Sequence, residues 1–195
     1  MKTGYSRKFK RPSYEIFAGG YYVTKVKKVV LTTLLGSCIS VCLKDSVNGV
    51  AGFNHFMLPD KLNKENFFAS SDARYGLFSM EKMINQMLKL GASKNFLEAK
   101  IFGGGKVLQT TFSNVAQANI EFARTYLHLE NIPIIAEDVG GNYGRKIYFL
   151  PDTFDIFVKK IEQQHNLTMM LKEENRYLET IRKKKEEAGE LTLFE

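Results

Sequence analysis

The sequence predicts an α+β domain, a layered mixed β-sheet sandwich flanked by helices. Three observations carry this. Short apolar and β-branched runs recur between Gly and polar turn residues. Two longer segments place apolar residues at helical spacing. Residues 38–43 carry apolar side chains on both faces, as a strand covered on both sides does.

Residues 29–35 form the first predicted strand, ending at Gly36. Residues 38–43 form the second, with Ile39, Val41 and Leu43 on one face and Cys38, Ser40 and Cys42 on the other. Residues 49–56 form the third, after a turn at 44–48. Residues 60–72 are polar and predict an exposed loop near a site mouth. Ser71 or Asp72 caps a helix that runs to Leu90 and stops at Gly91, with Phe78, Met80, Met83, Ile84, Met87 and Leu88 as its apolar stripe. Residues 97–102 are a strand leading into Gly103-Gly-Gly105, and Ser113 caps a second helix reaching Glu130. Residues 132–137 and 144–150 are strands with the glycine-rich 140–144 as the turn between them, and 155–159 close the domain. From 160 the chain turns charged and lacks Pro and Gly through 187, with Leu167, Leu171, Leu178 and Ile181 at roughly helical spacing. The expected division is a basic arm at 1–19, a domain at 20–159 and a helical tail at 160–195. The final Leu191-Thr-Leu-Phe194 reads as an apolar tag on a frayed end.

A chain of 195 residues suits one domain with an appendage. No apolar run approaches the roughly twenty residues a membrane helix needs. No apolar secretory core follows the basic N-terminus, so the chain reads as cytoplasmic with no membrane insertion. Cys38 and Cys42, on one strand, stand about 13 Å apart, beyond disulfide reach. Clustered Cys and His ligands for structural zinc are missing, so no metal and no cofactor is expected. The net charge of +7 is carried by the first thirty residues, where eight Lys or Arg stand against one Glu. Two readings stand for that segment: an arm that meets an acidic partner, or a solubilising, poorly ordered terminus. No nucleic-acid reader motif is present.

Gly103-Gly-Gly-Lys106 lacks phosphate-loop spacing, because Lys100 and Val107 stand where Gly and Ser or Thr are required. It reads as a turn that lets backbone approach closely, from a neighbouring strand or a substrate. Asp138, Asp152 and Asp155 lack ligand spacing; His128 and His165 fit a helix surface and a solvated tail. The remaining chemistry is Cys38 behind the Gly36-Ser37 turn, with His55 seventeen residues on, at the end of an adjacent strand. Cys with His is the minimum equipment for acyl transfer. Cys42 reads as core.

Thr32 through Leu-Gly-Ser-Cys38, with His55-Phe-Met-Leu-Pro59, closely resembles the chemoreceptor glutamine deamidases of the CheD family. The likeness continues through 100–104 and 138–141 to 144–146 and covers roughly residues 20–160. It departs at Gly105, where the family commonly has a small non-glycine residue, and at Ala116 and Ala118, where it often has Gly and Arg; Asn119 fits.

The resemblance implies a fold shared with bacterial deamidase toxins and a catalytic Cys38, His55 and Thr32. Thr32 is assigned by its place six residues before the Cys, and Thr33 is adjacent. Gly36 and Ser37 become oxyanion-turn candidates, with Asn54, Gly103 and Gly104 as substrate-proximal candidates. It implies hydrolysis of glutamine side-chain amides in the helical cytoplasmic domain of chemoreceptors, through a thioester, with glutamyl methyl esters as easier substrates of the same route. It also implies a CheC-type phosphatase as a partner. The alternative is a chemotaxis adaptor that binds that phosphatase and receptors with little enzyme activity; a redox-sensing or scaffold protein with a merely reactive Cys38 is a third. Oligomeric state is left open.

Overall fold

The computed structural model describes residues 1–25, 27–58, 73–107, 113–161 and 164–189. Chain order is β1 (Lys2–Ser6), β2 (Arg11–Glu15), β3 (Tyr21–Lys25), β4 (Val30–Leu35), β5 (Ile39–Asp45), β6 (Val50–Asn54), α1 (Ala73–Lys89), a 3-10 turn at Lys94–Phe96, β7 (Leu97–Gly103), α2 (Ser113–Leu129), β8 (Ile134–Val139), β9 (Gly144–Leu150), β10 (Asp155–Ile161) and α3 (Gln164–Gly189). The strands form two five-stranded sheets, β1-β2-β4-β9-β10 and β3-β6-β5-β7-β8. Each is mixed, because β2 runs parallel to β4 and β7 parallel to β8. The α+β layered sandwich is the fold observed.

The alternation of β5 explains the layers. Ile39, Val41 and Leu43 face α1 and α2, where they pack with Met80, Met83, Met87 and Phe122. Cys38 and Cys42 face the other sheet, among Leu31, Leu35, Phe53 and Phe149. The whole of β5 is buried. The Phe53 and Phe149 rings meet across the sheets at 5.7 Å, an aromatic contact worth about 0.5–1.5 kcal/mol beyond its buried area. The methionines of α1 are core filler: Met83 and Met87 pack where a side chain on Gly52 would otherwise stand.

Several expectations change. Strands β4 and β5, joined by Gly36, Ser37 and Cys38, lie in different sheets, as do β8 and β9 on either side of the 140–144 turn. Both links are therefore crossings between layers. The basic N-terminus is not a loose arm. It is an antiparallel hairpin whose second strand joins β4, with Arg11 ion-paired to Asp152 at 2.6 Å and Lys8 over the Phe9, Tyr148 and Phe157 rings. Pairing with an established strand supplies the order that its polar sequence does not advertise. The expected 60–72 loop, its capping residues Ser71 and Asp72, and the 191–194 tag lie outside the described residues. The tail is helical, as its spacing predicts, and it folds back over the body: Met170, Leu178 and Ile181 are buried.

Candidate active site

The crossing from β4 to β5 brings three consecutive residues, Gly36, Ser37 and Cys38, to the end of both sheets. Every carbonyl of the three is held from behind. Gly105 N–H donates to Gly36 at 2.6 Å, the Asn119 side-chain amide to Ser37 at 2.8 Å, and Gly104 N–H to Cys38 at 2.7 Å. A trans peptide is planar, so a carbonyl fixed on one side aims the N–H of the same unit to the other. The Gly36 and Ser37 carbonyl clamps thus aim the N–H groups of Ser37 and Cys38 the opposite way, and together with the Gly36 N–H they converge on one spot, a backbone nest suited to an anion.

The spot is filled by the Glu174 carboxylate of α3. Oε1 accepts from Gly36 N and Cys38 N, each at 3.0 Å. Oε2 accepts from Ser37 N at 3.2 Å and from the Ser37 hydroxyl at 2.7 Å. Glu174 is 2% exposed. Gly36 has no Cβ for a reason: one there would stand 3.0 Å from Glu174 Oε1 and 3.1 Å from Met170 Cε.

His55 reaches the site through strand register. Cys42 pairs with Phe53 and Ile39 bridges to Phe56, so Cys38 and His55 share one face of the β5–β6 pair, diagonally offset. Such neighbours lie within side-chain reach, about 7–8 Å between Cα atoms. The backbone of His55 is gripped on both sides, its carbonyl by Gly19 N–H at 2.7 Å and its N–H by the Gly20 carbonyl at 3.0 Å. Its Nδ1 lies 2.7 Å from Thr33 Oγ1. The Thr33 hydroxyl has one proton, and it goes to the Ile16 carbonyl at 2.7 Å. Thr33 therefore accepts from His55, which puts the imidazole proton on Nδ1 and leaves Nε2 as the lone-pair nitrogen. Nε2 is buried with no hydrogen-bond partner among the described residues.

Burial dominates the electrostatics. It pushes the Cys38 thiol well above its ordinary range, and the Glu174 carboxylate, by its charge and a hydrogen bond, pushes the same way. Burial brings His55 down to about 4, against the opposing pull of Glu174. With α3 seated, the pair is thus a neutral thiol and a neutral imidazole.

The structure corrects the threonine. Thr32 pairs with Glu15 and Tyr148 and lines a groove with Lys2, Glu15, Lys146 and Tyr148 on the outer face of its sheet, away from His55. One step along a strand reverses the face, so Thr33 is the residue beside the imidazole. Asn54 is corrected for the same reason. Its side chain turns from the His55 face, accepting from Val41 N at 2.8 Å and donating to Ser79 Oγ at 3.2 Å toward α1. Gly103 and Gly104 are not beside the cradle opening but behind it. A Cβ on Gly103, at φ 116°, would stand 2.3 Å from the Cys38 carbonyl oxygen. Gly36 and Ser37 do stand with Cys38 in the cradle. Cys42 is fully buried between the sheets.

Sequence reasoning gave no role to Asn119 or Glu174. Asn119, fully buried on α2, also accepts from Leu58 N at 2.8 Å, so it ties the Cys38 turn to the segment after His55. Glu174 carried one signal: it falls four residues after Met170 and four before Leu178, a charge on an apolar face. Behind the turn, Asp138 pairs with the fully buried Arg145 at 2.7 Å. Burial raises the Asp138 carboxyl, but the Arg145 hydrogen bond and charge outweigh it and hold the group below its ordinary range. Among the described residues, no group of three or more His, Cys, Asp and Glu is placed to hold a metal, and no helix is long and apolar enough to cross a membrane.

A family model described as CheD chemotactic sensory transduction matches residues 57–160. The chain is similar to proteins named probable chemoreceptor glutamine deamidase CheD. That of Methylobacillus flagellatus is 44% identical over 192 residues, covering 97% of this chain and 93% of the relative. That of Laribacter hongkongensis is 45% identical over 172 residues, covering 88% and 83%. One from Shewanella oneidensis, named CheD 1, is 47% identical over 171 residues, covering 87% and 82%.

Proposed function

The chain belongs to the CheD family of chemotactic sensory transduction, and from that membership we propose that it hydrolyses glutamine side-chain amides in the helical cytoplasmic part of chemoreceptors, giving glutamate and ammonia. The observation that carries the reading is the cradle of three backbone N–H groups around Cys38, which holds a glutamate carboxylate beside a thiol and an imidazole with a free Nε2.

An amide is a weak electrophile with a poor leaving group. Cys38 gives its proton to His55 Nε2, and the sulfur bonds to the glutamine Cδ. The oxygen of the tetrahedral intermediate takes the Glu174 Oε1 position, accepting from Gly36 N–H and Cys38 N–H; one such donor is worth about 3–4 kcal/mol of transition-state stabilisation. His55 returns the proton to the nitrogen as the C–N bond breaks and ammonia leaves. Nε2 then takes a proton from water, the hydroxide adds to the thioester carbonyl, and collapse releases glutamate and restores the thiol. Thr33 holds Nδ1–H and so the tautomer. Being neutral, it does not stabilise the imidazolium as a carboxylate does. Glutamyl methyl esters fit the same route with methanol as leaving group. No cofactor is needed, and the setting is the cytoplasm. Docking to a CheC-type phosphatase is a second role open to the same chain.

The test is mass spectrometry of a chemoreceptor cytoplasmic fragment, with ammonia assay. Wild-type protein converts glutamines to glutamates, and Cys38→Ala does not. Conversion that survives Cys38→Ala refutes the thioester route. Receptor binding without ammonia release from wild type favours the adaptor reading.

A further inference from the structure

The Glu174 carboxylate is a buried anion with no basic partner. Among the described residues no Lys or Arg ion-pairs with it; three backbone N–H groups and the Ser37 hydroxyl donate to it, and the Cys38 thiol lies against it. Desolvating a carboxylate costs several kcal/mol, and backbone N–H donors work against that cost. An apolar residue at this position would leave three N–H groups and a hydroxyl buried without acceptors. The seat matches the chemistry of the cradle. A carboxylate accepts at both oxygens, as all four donors require, whereas an amide puts an NH2 against one side of them.

The helix that delivers it is docked as a ligand is. Met170, Glu174, Tyr177, Leu178 and Ile181 lie at spacings of four, three, one and three, one face of α3. Met170 packs over Gly36, and Leu178 joins the core between the sheets. Tyr177 packs on Gly19, whose N–H holds the His55 carbonyl; a Cβ on Gly19 would stand 2.5 Å from the Tyr177 ring. The opposite face, with Lys172, Asn175, Arg176 and Glu179, is exposed. The seated helix leaves Cys38 with no solvent exposure.

We propose that α3 is a built-in product mimic: it seats the Glu174 carboxylate where the glutamate formed by the reaction sits, closes the site, and must leave before a glutamine-bearing helix of similar apolar register docks in the same groove. The product identity rests on the deamidase reading; the closure does not. The register that the groove selects is an apolar residue four positions before the glutamine, and apolar or aromatic residues three, four and seven positions after it. An internal occupant of this kind lowers the competent fraction of the enzyme, so it raises the apparent KM for receptor and leaves kcat nearly unchanged.

The experiment compares full-length wild type, Glu174→Ala, Met170→Lys and the exposed control Glu179→Ala. Two readouts are taken: iodoacetamide labelling of each cysteine, and ammonia release from a chemoreceptor fragment. Glu174→Ala removes the carboxylate without creating an internal substrate, and an unlabelled Cys42 reports an intact core. The expected result is Cys38 labelling about tenfold faster in Glu174→Ala and Met170→Lys, with KM lowered by a similar factor and kcat within about twofold; Glu179→Ala matches wild type. Wild-type labelling rates in both variants, beside normal ammonia release, overturn the inference alone. Faster labelling with ammonia released by none of the proteins removes the deamidase reading, and the product assignment with it.

Discussion

Thr33 Oγ1 lies 2.7 Å from His55 Nδ1 while its own proton goes to the Ile16 carbonyl, so a single hydroxyl decides which imidazole nitrogen is basic. The strand that carries Thr33 also leads into the Cys38 turn, so one short segment sets both the tautomer and the place of the thiol.

Thr33→Val removes that acceptor and strands a buried N–H and a buried carbonyl. A lost buried hydrogen bond of about 1–3 kcal/mol corresponds to a fall in kcat/KM of about ten- to a hundred-fold. Thr33→Ser restores most of it, and Thr32→Val, changed on the outer face, stays near wild type. Steady-state kinetics with a receptor fragment check the order; equal losses at 32 and 33 contradict it.

Asn119→Leu removes the clamp on the Ser37 carbonyl and frees the Ser37–Cys38 peptide to rotate. The expected loss is about a hundredfold in kcat, the size of losing one oxyanion donor. KM changes less, because the groove under α3 is untouched. A variant that keeps wild-type kcat shows that the glycine contacts alone hold the turn.

Gly103→Ala places a Cβ against the Cys38 carbonyl oxygen at a backbone angle that L-residues rarely adopt. It should lower stability by about 2–4 kcal/mol, combining backbone strain and overpacking. Gly91, at φ 94° with nothing within 4 Å, isolates the backbone part; its Ala variant should cost about 1–2 kcal/mol. Urea unfolding of the two variants gives the difference directly.

Stability should fall as pH drops from about 6.5 towards 4. Folded His55, brought down to about 4, refuses a proton that the unfolded chain accepts from about pH 6.5. The unfolded state binds more protons across that window, so stability is present above it and lost on going down, by about 3 kcal/mol in full. The groups facing the imidazole there are Glu174 and Cys38. Denaturation midpoints from pH 7 to 4, for wild type and His55→Gln, test it: the variant loses this part of the slope.

The sequence placed β4 to β10 and the first two helices closely, because each buries a face and so shows a period. It passed over β1, β2 and β3, whose residues are largely polar or half exposed; their order comes from pairing with β4 and β6. Asn54 and Gly104 illustrate a second limit. Asn54 flanks His55 in the chain yet turns to α1, and Gly104 meets Cys38 only from behind the turn.

By itself the sequence determined the candidates for the chemistry, Cys38 and His55: the residue types carry the reactivity, and adjacent antiparallel strands put the two on one face, diagonally offset. Only the tertiary structure decided which threonine serves the histidine, because neighbouring strand positions face opposite ways and composition does not distinguish Thr32 from Thr33. Only it brought Asn119, 82 residues from Ser37, and Glu174, 136 residues from Cys38, into the site. Those contacts join three separate elements, α2, α3 and the β4–β5 crossing, and their meeting is fixed by how the layers pack, which no local pattern encodes.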